Sequence, residues 1–174
     1  MRLLHLGLET FRNVTAGQLA VGGGDVFLVG ANAQGKTNLL EAIGLLSALR
    51  SFRTAEPKVL PQHGQPQARL LYRVAHEEEG ETEVLLTLGA KGKHVEVGGA
   101  AVPRLADFLG RFPTVTLSSA DIQLLRAGPG HRRRWMDLVL ASRDPGYYLA
   151  LSRYTRALRD RNRLLKERAP AASL

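Results

Sequence analysis

Asp25-Val26-Phe27-Leu28-Val29-Gly30-Ala31-Asn32-Ala33-Gln34-Gly35-Lys36-Thr37 is the stretch on which the reading of this chain turns. Its first five residues form a short apolar run bounded by glycines, which suits a strand buried on both faces. A glycine-rich turn follows, and Leu39, Leu40, Ile43, Leu46 and Leu49 then recur at helical spacing through residues 36–50. Strand, turn and helix in this order make a phosphate loop. The glycines let backbone N–H groups approach polyphosphate oxygens without an intervening Cβ, and the N-terminus of the helix adds its dipole. Lys36 is expected to reach the β- and γ-phosphates, and the Thr37 hydroxyl to ligate a bridging Mg²⁺. A chance match in a Gly-rich segment is the competing account, and the flanking strand and helix weigh against it. Kinases, GTPases and helicases all use such loops. No Asn-Lys-x-Asp base reader and no Asp-rich strand end for Mg²⁺ follow downstream.

Working outward, residues 2–8 read as a strand, Thr10 to Thr15 as a turn, and the residues around 18–21 as a second strand. Beyond a Pro-, Gln- and Gly-rich loop at 57–66 the period becomes two. Residues 69–75, 83–88 and 94–97 read as an antiparallel meander, turning at Glu77-Glu78-Glu79-Gly80 and Lys91-Gly92-Lys93. A short helix is expected over 105–109 and another buried strand over 114–117. From Asp121 the pattern is helical, broken near Asp144-Pro145-Gly146, with a featureless tail at 169–174. In the last helix, residues 147–168, Tyr147, Leu151, Tyr154, Leu158 and Leu165 share one stripe. That stripe reads as core rather than as a coiled-coil seam, because Arg161 interrupts the heptads.

At 174 residues the chain is long enough for one sizeable core. It has no Cys, hence no disulfide framework or thiolate metal site, and its five His lack ligand spacing. No apolar run approaches the ~20 residues that span a bilayer, and the N-terminus carries no signal-peptide pattern, so a soluble, cytosolic protein without membrane contact is expected. The net charge of +8 is unevenly placed. Twelve Lys and Arg lie between Arg126 and Arg168 against Asp137, Asp144, Asp160 and Glu167, and the remainder of the chain balances. A polyanion is the natural partner of that basic quarter. Arg132, Arg133 and Arg134, with the helical stripe Arg156, Arg159, Arg163 and Lys166, are candidate contacts to DNA phosphates. The alternative is that some of them pair with the nearby aspartates.

Leu8-Glu9-Thr10-Phe11-Arg12-Asn13, then Gly30 to Ile43, then Leu49-Arg50-Ser51-Phe52-Arg53 closely resemble the RecF family, bacterial recombinational-repair ATPases related to SMC-type heads. The likeness continues through Asp121, Gly128-Pro129, Arg132-Arg133-Arg134-Trp135-Met136-Asp137 and Leu158 to Lys166, and so covers the whole chain. The resemblance implies an α/β fold, an ABC-type P-loop ATPase head. Residues 1–117 would form lobe I, a mixed sheet with an antiparallel meander around the phosphate-loop helix. Residues 118–174 would begin a basic helical lobe II. It implies ATP with Mg²⁺ at Gly30, Ala31, Asn32, Ala33, Gln34, Gly35, Lys36, Thr37 and Asn38. It also implies ATP-dependent homodimerisation, binding to gapped, single- or double-stranded DNA, and cooperation with RecR and RecO in gap repair, replication and the SOS response.

Two accounts stand for Arg12: contact with the nucleotide, or satisfaction of nearby loop carbonyls. Arg53 likewise fits either DNA or phosphate contact, or complementing the helix dipole. Complete members of the family are about twice as long, and carry the signature motif and Walker B aspartates in their second half. The catalytic groups are therefore expected outside this chain, which should bind ATP weakly and hydrolyse little. Ser118-Ser119 stand where related heads place a Gln, with Gln123 nearby. An SMC-type chromosome ATPase head and a small-molecule kinase are the competing functions. The first would need a long heptad stretch that is not present, and the basic final quarter argues against the second.

Overall fold

The computed structural model describes residues 1–54, 56–77 and 80–168. Two strands open the chain, β1 (Arg2–Phe11) and β2 (Val14–Ala20), and helix α1 (Lys36–Ala48) follows the glycine-rich turn. Strands β3 (Gln67–His76), β4 (Gly80–Gly89), β5 (Gly92–Val97) and the two-residue β6 (Ala100–Ala101) complete a six-stranded sheet of order β2-β1-β3-β4-β5-β6. All five pairings are antiparallel, so the parallel pairing of a mixed sheet does not form among the described residues. The chain then becomes helical, with α2 (Gln123–Arg126), α3 (Pro129–Arg143) and α4 (Pro145–Arg168). Only a short 3₁₀ turn, Leu105–Asp107, occupies the expected helix at 105–109.

Period-two alternation sends one face of the sheet inward. Leu6 and Leu8 of β1, Leu70, Tyr72 and Val74 of β3, and Val84, Leu86 and Leu88 of β4 are buried together. They share a core with Ala42, Leu45 and Leu46 of α1. Each such Leu or Val contributes about 1.5–3 kcal/mol by leaving water. Two polar contacts set the helix on the sheet. The buried Tyr72 hydroxyl donates to the Ala42 carbonyl at 2.7 Å, and burial raises its pKa well above the usual tyrosine value. At the helix end Leu49 closes α1 with φ 51°, and Lys93 of β5 donates to the Leu49 carbonyl. Burial lowers the pKa of that ammonium, while the negative end of the helix dipole favours its charge.

Both buried strands expected outside the meander are corrected by the structure. Residues 25–29 form no strand, and Phe27 and Val29 are 83% and 92% exposed. An apolar run of this kind needs a ladder partner and cover on both faces. Among the described residues none pairs with it. Residues 114–117 also stay outside the sheet, with Val115 and Leu117 exposed. Their alternation is half satisfied, because Thr114 and Thr116 turn toward α1. The Thr114 hydroxyl donates to Ser47 Oγ at 2.8 Å, and a Cβ on Gly44 would lie 2.9 Å from Thr116 Oγ1, so glycine permits the approach.

The stripe on α4 is corrected in the same way. Tyr147 and Leu151 are half-buried, whereas Tyr154, Leu158 and Leu165 face solvent. A helix of 24 residues runs for about 36 Å. Its packing partners, α3 and the 105–107 turn, leave residues 152–167 exposed.

Tyr72→Phe removes the hydroxyl and little else. Urea denaturation is expected to show a loss of about 1 kcal/mol, and an unchanged midpoint would contradict the part given to this bond in seating α1.

Candidate functional site

The glycine-rich turn is a loop at the N-terminus of α1. Residues 30–34 are exposed, Gly35 is buried, and the helix begins at Lys36. Ala33 holds a left-handed conformation, φ 64°, which is unfavourable for a side chain and persists only where neighbours enforce it. Asn13, on the turn between β1 and β2, supplies that enforcement by donating to the Ala33 carbonyl at 2.9 Å. It also underlies Gly35, where a Cβ would meet Asn13 Oδ1 at 3.1 Å on a backbone with φ +92°. Lys36 folds back to donate to the carbonyls of Gly30 (2.7 Å) and Ala31 (2.6 Å), closing the loop around its ammonium.

Beneath the loop lies a buried carboxylate. Glu41 of α1 is 0% exposed, an expensive position for a charge unless it is fully paired. Arg12 donates to it twice, Nε to Oε2 at 3.0 Å and Nη2 to Oε1 at 2.6 Å. Arg53 reaches Oε2 at 3.2 Å, and the Ser51 hydroxyl donates to Oε1. Arg12 also donates to the Val59 carbonyl at 3.1 Å. Two left-handed residues, Thr10 (φ 50°) and Arg12 (φ 57°), aim it there. Thr10 is held by its hydroxyl on the Gln67 carbonyl and by Gln62 N–H on its own carbonyl, both 2.7 Å.

Two clefts flank the start of α1. One, of about 540 Å³, is lined by Arg12, Asn13, Asn38, Arg53, Lys58 and the loop Pro61–Gln65, with no carboxylate among its lining residues. The other, of about 530 Å³, is lined by Thr37, Leu40, Ile43, Phe52, Arg53 and residues 115–119. Arg53 stands between them and bonds Asn38 Oδ1 at 2.7 Å as well as Glu41, so it lies toward the start of α1 rather than at the C-terminal end that the helix-dipole account requires. Sequence reasoning missed Glu41, Ser51 and the 61–65 loop. A glutamate between Leu40 and Ala42, within an apolar helical stretch, was the available signal for Glu41.

The basic candidates separate into two groups. Arg132 donates to the Ala127 carbonyl at 3.2 Å, beyond the end of α2. Arg163 lies 3.7 Å from Asp160 and 3.9 Å from Glu167, exposed pairs worth under about 1 kcal/mol. Arg133, Arg134, Arg156, Arg159 and Lys166 are exposed and make no ion pair among the described residues. Asp137 accepts from the Tyr147 hydroxyl at 2.6 Å, a bond that raises the tyrosine pKa and ties α3 to α4. Asp121 accepts from the Ser118 N–H and hydroxyl at 2.6 and 2.9 Å, which closes a turn. No cluster of three His, Asp or Glu among the described residues has metal-binding geometry.

An antiparallel sheet, a phosphate-loop helix packed on it and a helical hairpin beyond define lobe I of an ABC-type P-loop ATPase head with the beginning of a helical lobe. No protein-family model matches the chain. Curated relatives do. The DNA replication and repair protein RecF of Acaryochloris marina (strain MBIC 11017) is 41% identical over 167 residues, 95% of this chain and 44% of the relative. RecF of Geobacter metallireducens (strain ATCC 53774 / DSM 7210 / GS-15) is 39% identical over 166 residues, 95% of this chain and 45% of its own length. Solved structures of the recombination mediator protein RecF of the RecFOR pathway, RecF-ATP and RecF-ATPrS, superpose with TM-score 0.89 at 33% identity, over 95% of this chain and 45% of theirs. In sequence and fold the chain corresponds to the N-terminal half of RecF. It spans somewhat under half the length of the curated relatives it matches.

Arg12→Ala strips the Glu41 carboxylate of its bidentate partner and is expected to cost about 3–5 kcal/mol, read by urea denaturation. Arg53→Ala, at a half-exposed position with Arg12 and Ser51 still in place, is expected to cost clearly less. Equal losses would contradict the division of labour between the two arginines.

Proposed function

We propose that residues Gly30 to Asn38 bind the triphosphate of ATP, and that the chain is the ATP-binding part of a RecF-type DNA replication and repair protein. The observation that carries this reading is the loop itself. Its exposed N–H groups stand at the start of α1, with Ala33 and Gly35 braced from below by Asn13, in a chain that superposes on RecF-ATP. Lys36 already lies within the loop, where phosphate oxygens would take over from the carbonyls of Gly30 and Ala31. Thr37 is exposed toward the second cleft, where its hydroxyl suits one ligand of an ATP-bound Mg²⁺. The ion would neutralise phosphate charge. On this reading the acidic groups for hydrolysis would come from the rest of a RecF-type protein, and this chain would bind ATP and turn it over little. The base would enter the cleft bounded by Asn13 and the 61–65 loop, which adjoins the phosphate loop.

DNA would run along the helical hairpin, with Arg133, Arg134, Arg156, Arg159 and Lys166 as its phosphate contacts, since they are exposed and uncommitted. Residues 1–117 would serve as the ATP lobe and 118–174 as the start of the DNA-facing lobe. The rest of a RecF-type protein would cover Phe27, Val29, Val115, Leu117 and the outer face of α4. In that protein ATP would join two heads on gapped, single- or double-stranded DNA, alongside RecR and RecO, in cytoplasmic gap repair and the SOS response. The SMC-type alternative is not favoured, because the relatives and solved structures that the chain resembles are RecF. No helix among the described residues is long and apolar enough to cross a membrane.

Calorimetric titration with MgATP is expected to show binding by the chain and its loss on Lys36→Met. Binding that survives this substitution would overturn the assignment of the loop. For DNA, affinity is expected to fall steeply with salt, the log–log slope shrinking by about 1 for each contacting cation removed. A slope unchanged after Arg156, Arg159 and Lys166 are replaced together would move the interface elsewhere.

A further inference from the structure

A continuous line of hydrogen bonds runs from the buried carboxylate to the phosphate loop. Glu41 Oε2 accepts from Arg53 Nη1 at 3.2 Å, and the same Nη1 donates to Asn38 Oδ1 at 2.7 Å. Asn38 Nδ2 donates to Asn13 Oδ1 at 2.6 Å, and Asn13 Nδ2 donates to the Ala33 carbonyl at 2.9 Å. Each amide is oriented by its neighbour, because an Asn oxygen that accepts forces its nitrogen to face the next acceptor. A second branch is shorter. Glu41 clamps the Arg12 guanidinium through two bonds, and Arg12, at φ 57°, is the residue directly before Asn13 in the chain. Both branches converge on Asn13, which bonds the loop at Ala33; the first passes through Asn38, at the end of the segment proposed to bind the triphosphate.

We propose that Glu41 is a positioning residue for the phosphate loop: fully buried, it acts through Arg53, Asn38 and Arg12 on Asn13, and so holds Ala33 in the left-handed conformation that shapes the anion cradle. It cannot reach a ligand itself, since it is 0% exposed. Its influence therefore falls on the shape of the cradle, and the ligand class affected is the polyphosphate rather than the base. This inference rests on the nucleotide reading given above.

The test is a double-mutant cycle on the 174-residue chain with inorganic tripolyphosphate as the probe, which carries no base. Glu41→Gln keeps the shape of the side chain and removes its charge, and is expected to weaken tripolyphosphate binding roughly tenfold in the otherwise unaltered chain and less than twofold in the Asn13→Ala background. A purely structural role would lower the denaturation midpoint and weaken binding by the same factor in both backgrounds. Equal factors, or no weakening at all, would overturn the proposal. Should Glu41→Gln fail to fold, Arg53→Gln replaces it in the same cycle, with the carboxylate still held by Arg12 and Ser51 and the same convergence on Asn13 expected. An unaltered chain that binds neither tripolyphosphate nor MgATP would instead overturn the nucleotide reading, and this inference with it.

Discussion

The carboxylate of Glu41 lies where water does not reach, at the centre of α1, and the surrounding structure is arranged to compensate it. Two arginines and a serine converge on its two oxygens and bring two segments to it: Arg12 the turn after β1, Ser51 and Arg53 the stretch after α1. Through the second arm of Arg12 the Val59 region is fastened as well. Removing one partner would leave charge buried without compensation, which is why such clusters hold their geometry even where they add little net stability. The strained turns at Thr10 and Arg12 follow from the same demand, since an ordinary extended path would carry the guanidinium elsewhere.

Compensation is uneven across the molecule. The inner face of the sheet and the inner side of α1 are sealed, while the apolar residues of 25–29, 114–117 and α4 face solvent. These exposed segments share a character: each is patterned for contact on more faces than the described residues provide. The relatives that match this chain are more than twice its matched length.

The parts of the fold governed by local pattern were legible in the sequence. Alternation at 69–75 and 83–88 marked the meander because one face is buried and the other wet, and the Leu spacing after Lys36 marked α1 for the same reason. The strand expected at 25–29 was not formed, since a doubly buried strand depends on partners that local pattern does not contain. The α4 stripe was read as core on spacing alone, and spacing says nothing about whether a neighbour exists. In the site, the glycine-rich turn and the helix that starts at Lys36 were legible because glycines and a lysine at set intervals mark such a loop. Glu41 was signalled only by its place between Leu40 and Ala42, which does not by itself tell a buried carboxylate from a solvated one. Arg12 and Arg53 were noticed as cations, but their common partner, 29 residues after the first and 12 before the second, was visible only in three dimensions.

The central claim is that backbone N–H groups at the start of α1, in a cradle braced from beneath, receive a triphosphate. Amide hydrogen exchange of the chain with and without MgATP tests it most directly, because it reports on those N–H groups one segment at a time. The account predicts slowed exchange over residues 31–38, absent in a Lys36→Met chain. Unchanged exchange in that segment, or protection confined to the helical hairpin, would contradict it.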